Sequence, residues 1–139
     1  MNILGVDPGR QKTGLALIDQ SGQILWRSIV PTDEFGVAVA RLLEEWPVDH
    51  IALGHSTGSE AAAIVLKKLL EARPSPVKVG IVDERDSTLE ARELYFEAHP
   101  PLGLRRLIPR GLQCPSEPID DFAAAILARR ALKGRSQST

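Results

Sequence analysis

Three acidic residues stand at positions where the sequence predicts that regular elements end or begin. Asp7 closes the first apolar run, Glu84 follows the last predicted strand, and Asp120 opens the final predicted helix. Acids are depleted in strands and unfavourable when buried without a partner, so these positions call for an explanation. Carboxylate oxygens are the ligands that Mg²⁺ and Mn²⁺ prefer. Acids that converge from separate elements can hold two such ions about 4 Å apart, an arrangement that hydrolyses phosphodiesters.

Each acid also has an ordinary structural explanation. Asp7 can cap the turn that follows it, and Glu84 can form a surface ion pair with a nearby arginine. Asp120 or its neighbour Asp121 can stabilise a helix N-terminus through the helix dipole. Taken one at a time, the acids favour these structural roles. Taken together, in three separate elements, they favour a metal site.

Cations lie beside the first acid and towards the end of the chain. The net charge of −1 provides no overall attraction to nucleic acid, but seven cations and three acids follow residue 104. One basic face is enough to bind phosphates. Solvated turns and a frayed terminus are the alternative explanation for the same residues. The candidate phosphate contacts are Arg10, Lys12, Arg85, Arg105, Arg106 and Arg110.

The composition excludes several classes of protein. The 139 residues are enough for one domain, with 43% hydrophobic and 25% charged residues as in globular proteins. No apolar run approaches membrane-spanning length, so we expect no membrane partner. The single Cys114 excludes an internal disulfide and favours a reducing compartment, so we expect a cytoplasmic protein. We expect one domain over residues 1–139, with a flexible tail from about residue 134.

Hydrophobic periodicity predicts an α/β fold. Three short strands over residues 2–7, 14–19 and 23–30 are joined by short links, which is typical of an antiparallel meander. Helices and strands then alternate, and a long loop at 99–118 precedes a last helix. The first helix is predicted to begin near Thr32 or Asp33. The order βββαβαβα-loop-α predicts a mixed sheet of about five strands with helices on its faces.

The third helix carries a possible start signal of its own. Ser87 and Glu90 have the spacing of a capping box, in which the two side chains bond to each other's backbone N–H groups. The sequence therefore predicts that this helix begins at Ser87 as its N-cap.

Three segments, in order, resemble motifs of one protein family. Residues 3–9 (Ile-Leu-Gly-Val-Asp-Pro-Gly) and 14–18 resemble the first hairpin of the RuvC and YqgF branches of the RNase H-like superfamily. Residues 82–91 resemble the Asp-Glu-Arg motif of the YqgF family, and residues 119–127 resemble its closing Asp-x-x-Ala-Ala helix. The resemblance covers nearly the whole chain.

This resemblance implies a fold and a function. The fold would be an RNase H-like mixed sheet, with a three-strand antiparallel meander plus two parallel strands. Asp7, Glu84 and Asp120 would hold two Mg²⁺ or Mn²⁺ ions, with Asp121 as the substitute for Asp120. The activity would be that of a nuclease on structured nucleic acid, either precursor ribosomal RNA or a Holliday-type junction. Resolvases act as dimers because a junction has two symmetric cuts, so a homodimer is also implied.

The sequence departs from the family pattern at two places. RuvC-type resolvases carry an acid near the end of the fourth strand, and YqgF proteins usually have Gly-x-Pro there. Here the strand ends in Gly54-His55, which can still lead into a phosphate-facing loop. The segment before the last helix is also less basic than in the family.

These departures leave other functions open. One is a non-catalytic module that binds nucleic acid. Another is phosphotransfer, because actin- and hexokinase-like proteins have a similar hairpin, although they need two such domains.

Overall fold

The computed structural model describes residues 1–56, 58–73, 77–100, 107, 115 and 117–137. Within these ranges the chain forms five strands, a 3₁₀ turn at Thr32–Glu34 and four α-helices. The predicted order of elements is confirmed. The strands are β1 (Ile3–Asp7), β2 (Lys12–Ile18), β3 (Ile24–Pro31), β4 (His50–Gly54) and β5 (Lys78–Val82). The helices are α1 (Phe35–Glu45), α2 (Ser59–Glu71), α3 (Ser87–Ala98) and α4 (Asp120–Gln137).

The strands form one mixed sheet in the order β3-β2-β1-β4-β5. β1 pairs antiparallel with β2, and β2 pairs antiparallel with β3, which confirms the meander. β4 lies parallel to β1, and β5 lies parallel to β4. The carboxyl ends of β1, β4 and β5 therefore meet at one edge of the sheet. This confirms the RNase H-like mixed sheet predicted from the sequence.

The two faces of the sheet pack against different helices. On the first face, here called the α4 face, α3 and α4 pack on the strand residues Ile3, Ala16 and Ile18. The contribution of α4 to this contact includes a run of buried alanines. On the second, here called the α1–α2 face, larger aliphatic side chains such as Leu4 and Leu17 pack against α1 and α2. Side chains alternate between the faces because successive strand residues point in opposite directions.

Two strand glycines bring α4 into backbone contact with the sheet. A side chain at Gly5 would collide with the carbonyl oxygen of Ala124, and one at Gly14 would collide with the carbonyl oxygen of Asp120. Glycine inside a strand often marks such a close approach. Asp120, Ala124 and Ala128 are four residues apart, so they share the helix face that lies on the sheet.

The start of α1 and the cap of α3 differ from the predictions, although α3 begins at Ser87. α1 begins at Phe35 instead of near Thr32 or Asp33, because Thr32 is held at the β1–β2 turn, where its hydroxyl donates to the Gly9 carbonyl at 2.8 Å. The predicted capping box at the start of α3 is wrong. Asp86 is the N-cap residue, with φ of 61° and no side-chain capping bond. Glu90 forms an ion pair with Arg130 at 3.0 Å, so its carboxylate is held by α4.

Candidate metal and nucleic-acid site

Three elements bring Asp7, Glu84 and Asp120 to the same edge of the sheet. Asp7 is the last residue of the central strand β1, Glu84 lies two residues beyond β5, and Asp120 is the first residue of α4. Burial raises the pKa of Asp7 to about 7, assisted by a hydrogen bond with Glu84 and by the charges of Glu84 and Asp120. Asp7 therefore lies within electrostatic reach of both other acids.

Glu84 occupies the space above the end of β4. A side chain at Gly54 would collide with Glu84 Oε1 and would lie 2.9 Å from Glu84 Cδ. The strand register pairs Gly54 with Val82, so Glu84 reaches this space from the neighbouring strand. Glu84 Oε1 is buried, and no described residue forms a hydrogen bond with it. Glycine at position 54 thus leaves room for a carboxylate that comes from β5.

The turn that carries Glu84 is held from two sides. Within the turn, the Asp83 carboxylate accepts a hydrogen bond from the Arg85 backbone N–H at 2.9 Å. From α4, Arg130 Nη1 donates to the Asp83 carbonyl at 2.7 Å, and Arg130 Nη2 lies 3.0 Å from the carboxylate of Glu90. Arg130 therefore joins α4 to both the turn and the first part of α3.

The two consecutive acids of α4 point to different surroundings. The side chain of Asp120 is 33% exposed, and its Oδ2 lies 3.4 Å from the Lys12 ammonium in the first hairpin. Asp121 is 4% exposed, and its Oδ2 lies 2.6 Å from Arg27 Nη1 on β3. Consecutive helix residues are about 100° apart, so one acid faces the site while the other faces β3. The structure therefore brings Asp120 to Asp7 and places Asp121 in an ion pair elsewhere.

The predicted phosphate contacts divide into two groups. Arg10, Lys12 and Arg85 are exposed, and Lys12 contacts Asp120 directly. Arg10 and Lys12 lie in the hairpin after Asp7, and Arg85 follows Glu84 in sequence. Arg105, Arg106 and Arg110 lie outside the described residues, so their predicted role is not tested.

The donor set fits a hard divalent cation. All three side chains present oxygen, Glu84 has a buried oxygen without a hydrogen-bond partner, and Asp7 lies among other acids. These features are what a bound cation would neutralise. Among the described residues, however, no three His, Cys, Asp or Glu side chains already have the geometry of a metal site. Asp120, which lies 3.4 Å from Lys12, acts on Asp7 through its charge.

Comparison with known sequences identifies relatives over most of the chain. The family model described as the Tex protein YqgF-like domain matches residues 1–94. A Thermobifida fusca protein named "Putative pre-16S rRNA nuclease" is 31% identical and aligns with 93% of this chain and 85% of its own length. The chain belongs to the YqgF family. This confirms the resemblance that the three sequence motifs indicated.

Another relative of this YqgF-family chain is much longer. The Bacillus subtilis protein YdcI is 29% identical over 81% of this chain, but the chain spans only 18% of the length of YdcI. The YqgF fold therefore also occurs as one part of a larger protein.

Solved structures show the same fold as this YqgF-family chain. Thermus thermophilus RuvC aligns with a TM-score of 0.66 and 14% identity, covering 99% of this chain and 97% of RuvC. Fowlpox virus resolvase, solved with Holliday junction DNA, aligns with a TM-score of 0.63 and 14% identity over 97% of this chain and 99% of its own.

No helix among the described residues is long and apolar enough to cross a bilayer.

The sequence interpretation missed residues that hold the acids in place. Gly14 and Gly54 provide the space that Asp120 and Glu84 need, and Arg27 and Arg130 bind the segments that carry them. Isolated glycines within strands were a usable signal, since they often mark close approach of another backbone. For Arg27, the available signal was a cation inside the apolar run that predicts a strand over residues 23–30.

Proposed function

We propose that this YqgF-family chain is a cytoplasmic, divalent-metal-dependent nuclease that cleaves phosphodiesters in structured nucleic acid. Precursor ribosomal RNA is the first substrate class that we propose, and branched DNA of the Holliday type is the second. The Thermobifida fusca relative carries the first activity in its name, and the Fowlpox virus resolvase was solved with the second substrate. If branched DNA is the substrate, we also expect a homodimer, because a Holliday junction is cut at two symmetric positions.

One observation carries the proposal. Carboxylates from β1, the turn after β5 and the start of α4 converge at one sheet edge, and one buried oxygen of Glu84 has no hydrogen-bond partner among the described residues. Lys12 offsets the charge of Asp120, but the burial of Asp7 beside Glu84 would be unfavourable in a purely structural role. A divalent cation would offset their repulsion.

The residues of the chain then have separable roles. A bound pair of Mg²⁺ or Mn²⁺ ions supplies activation of a water and stabilisation of the leaving oxygen. Asp7, Glu84 and Asp120 would hold these ions, with Asp7 in the middle. The pKa of Asp7, raised to about 7 by burial and by Glu84, means that Asp7 must lose a proton to serve as a ligand.

The exposed cations around the acids would orient the substrate. Arg10 and Lys12 in the first hairpin and Arg85 after Glu84 are exposed beside the acidic edge. Contacts from such side chains to phosphates position a nucleic acid without reading its sequence. When a phosphate approaches, Lys12 can exchange its contact with Asp120 for one with the substrate.

The test compares wild type with Asp7→Asn on labelled precursor ribosomal RNA, single strands, duplex and four-way junction, with Mg²⁺ or Mn²⁺. We expect metal-dependent cleavage by wild type and a loss of at least about 100-fold in the variant. Asp33→Asn is the matched control, because Asp33 is an exposed acid in the 3₁₀ turn. Cleavage by Asp7→Asn at the wild-type rate would overturn the proposal.

A second candidate is a module that binds nucleic acid without cleaving it. The family model ends at residue 94, before Asp120, and YdcI contains this fold in less than a fifth of its length. Tight, metal-independent binding of one substrate by wild type, with no cleavage of any, would favour this candidate.

A further inference from the structure

The ion pair of Arg27 and Asp121 lies next to the acidic edge but supplies no ligand to it. Arg27 Nη1 donates to Asp121 Oδ2 at 2.6 Å, and Asp121 is 4% exposed. The other oxygen, Oδ1, accepts a hydrogen bond from the Phe122 backbone N–H at 3.0 Å. Both oxygens of Asp121 are therefore engaged within the fold.

The same guanidinium also packs on the next residue of α4. Arg27 Cζ lies 4.4 Å from the centre of the Phe122 ring, which is the geometry of a cation–π contact. Phe122 is buried, and its ring meets Tyr95 of α3 edge to face at 5.7 Å between centroids. Arg27 is paired with Ala16 on β2, whose small side chain leaves room for the arginine to reach α4.

These contacts hold the first turn of α4, at Asp121 and Phe122. Gly14 determines how closely the first turn approaches the sheet, since the Asp120 backbone lies directly on it. Buried residues further along α4, such as Ala124 and Leu127, fix the rotation of the helix as a whole, and Arg27 adds a directional contact at its first turn. Because Asp120 and Asp121 are about 100° apart, holding Asp121 against β3 determines where Asp120 points.

We propose that Arg27 is a positioning residue for the metal site. Through Asp121 and Phe122 it holds the first turn of α4 in the rotation that presents Asp120 to Asp7. This inference rests on the proposed metal site. Residues that orient metal ligands from outside the coordination sphere typically change metal affinity or activity by about 10- to 100-fold when they are replaced.

The experiment measures Mn²⁺ binding to the full chain directly, by calorimetry or by the loss of the free-ion paramagnetic resonance signal. The test variant is Arg27→Met. The matched control is Arg129→Met, because Arg129 Nε also joins α4 to the first hairpins, donating to the Gly22 carbonyl at 2.9 Å. Arg129 lies nine residues beyond Asp120, about 13 Å along the helix. Thermal unfolding of every variant reports the general loss of stability.

We expect Arg27→Met to weaken Mn²⁺ binding by about 10- to 100-fold. Arg129→Met should bind Mn²⁺ as wild type does, even where its melting temperature falls by a similar amount. Arg27→Lys should be intermediate, since an ammonium can pair with Asp121 but cannot stack as a planar group. Unchanged affinity in Arg27→Met, or an equal loss in Arg129→Met, would overturn the inference.

A double-mutant cycle tests whether Arg27 acts through Asp120. In the Asp120→Asn background, adding Arg27→Met should change Mn²⁺ affinity little, because the ligand that Arg27 positions is already gone. Additive losses would overturn the proposed route. If Arg27→Met does not fold, Arg27→Lys takes its place in the cycle, and wild-type affinity in that variant would overturn the inference. Absence of Mn²⁺ binding by wild type would overturn the proposed metal site itself.

Discussion

The two faces of the sheet are packed in different ways, and the acids lie at one end of only one of them. On the α4 face, helix backbone lies against strand backbone at Gly5 and Gly14. On the α1–α2 face, the helices are held away from the strands by large side chains such as Leu15, Leu53 and Leu66. The first face has little room for adjustment, while the second is an ordinary aliphatic core.

This difference indicates that the two faces of the sheet have different roles. Aliphatic burial stabilises the fold at about 25 cal/mol per Å² but is not directional, so it positions atoms loosely. Contact between backbones allows only one distance between α4 and the sheet, and we propose that Arg27 holds the rotation of the first turn of α4. We infer that the α1–α2 face supplies mainly stability and that the α4 face also sets the geometry of the acids.

The largest expected effect comes from filling the space at Gly14. In Gly14→Ala, the new methyl would meet the Asp120 carbonyl and lie 2.9 Å from the Asp121 nitrogen, so α4 must shift. We expect nuclease activity to fall at least about 100-fold, because a misplacement of about 1 Å has that effect on well-oriented groups. Overpacking should also lower the unfolding free energy by about 1–3 kcal/mol.

Leu66→Ala on the α1–α2 face is the matched variant for Gly14→Ala. It removes a fully buried side chain and should cost about 2–5 kcal/mol. Urea unfolding and cleavage rates, measured where each variant is fully folded, separate the two effects. If Leu66→Ala loses as much activity per folded molecule as Gly14→Ala, the distinction between the faces is wrong.

A smaller effect on activity is expected from displacing Glu84. Gly54→Ala would displace the Glu84 carboxylate and press on Leu127 Cδ1 at 2.8 Å. A side-chain terminus can move more easily than a helix backbone, so we expect about a 10-fold loss of activity and of metal affinity. Mn²⁺ titration of the cleavage rate measures both. Wild-type Mn²⁺ dependence in Gly54→Ala would show that the placement of Glu84 does not matter.

The pH dependence of the unfolding free energy tests the environment of Asp7. Its pKa, raised from 3.8 to about 7 by burial and by Glu84, lets the folded state keep a proton that the unfolded state loses. The unfolding free energy of the metal-free protein should therefore fall as the pH rises from about 4 to about 7.

Asp7→Asn should remove that decline. The shift from 3.8 to about 7 is roughly three pKa units at about 1.4 kcal/mol each, so we expect the unfolding free energy of the variant to exceed that of wild type by about 4 kcal/mol at pH 7 in chelator and by little at pH 4. Urea unfolding across this range, with and without Mn²⁺, measures the difference. Parallel curves for the two proteins would contradict the environment assigned to Asp7.

The smallest effect is expected far from the site. Gly134 lies in α4 with no atom within 4 Å of an added methyl. Gly134→Ala should therefore raise the unfolding free energy by about 0.5–1 kcal/mol through helix propensity alone, without changing cleavage. A change in Mn²⁺ affinity would show that the whole of α4, and not its first turn, governs the site.

Most of the fold could be predicted from the sequence. Alternating and helical patterns of apolar residues identified the five strands and four α-helices that the described residues form, because burial imposes periods of two and of 3.6 residues. The start of α1 near Thr32 or Asp33 and the capping box at Ser87 were wrong, because contacts with distant residues, Gly9 and Arg130, compete with local helix signals.

The sequence by itself determined which residue types are present to bind a cation and which elements carry them. Asp7, Glu84 and Asp120 could be selected from motifs, since each stands at the end of a recognisable element. Only the tertiary structure decided how these ends meet. Three contacts decide this: Gly14 lies against the backbone of α4, Gly54 leaves space for Glu84, and Arg27 binds Asp121. The residues in these contacts are up to 106 positions apart in the sequence. Local sequence patterns do not encode such contacts, because they depend on the distance and rotation at which the helix finally packs on the sheet.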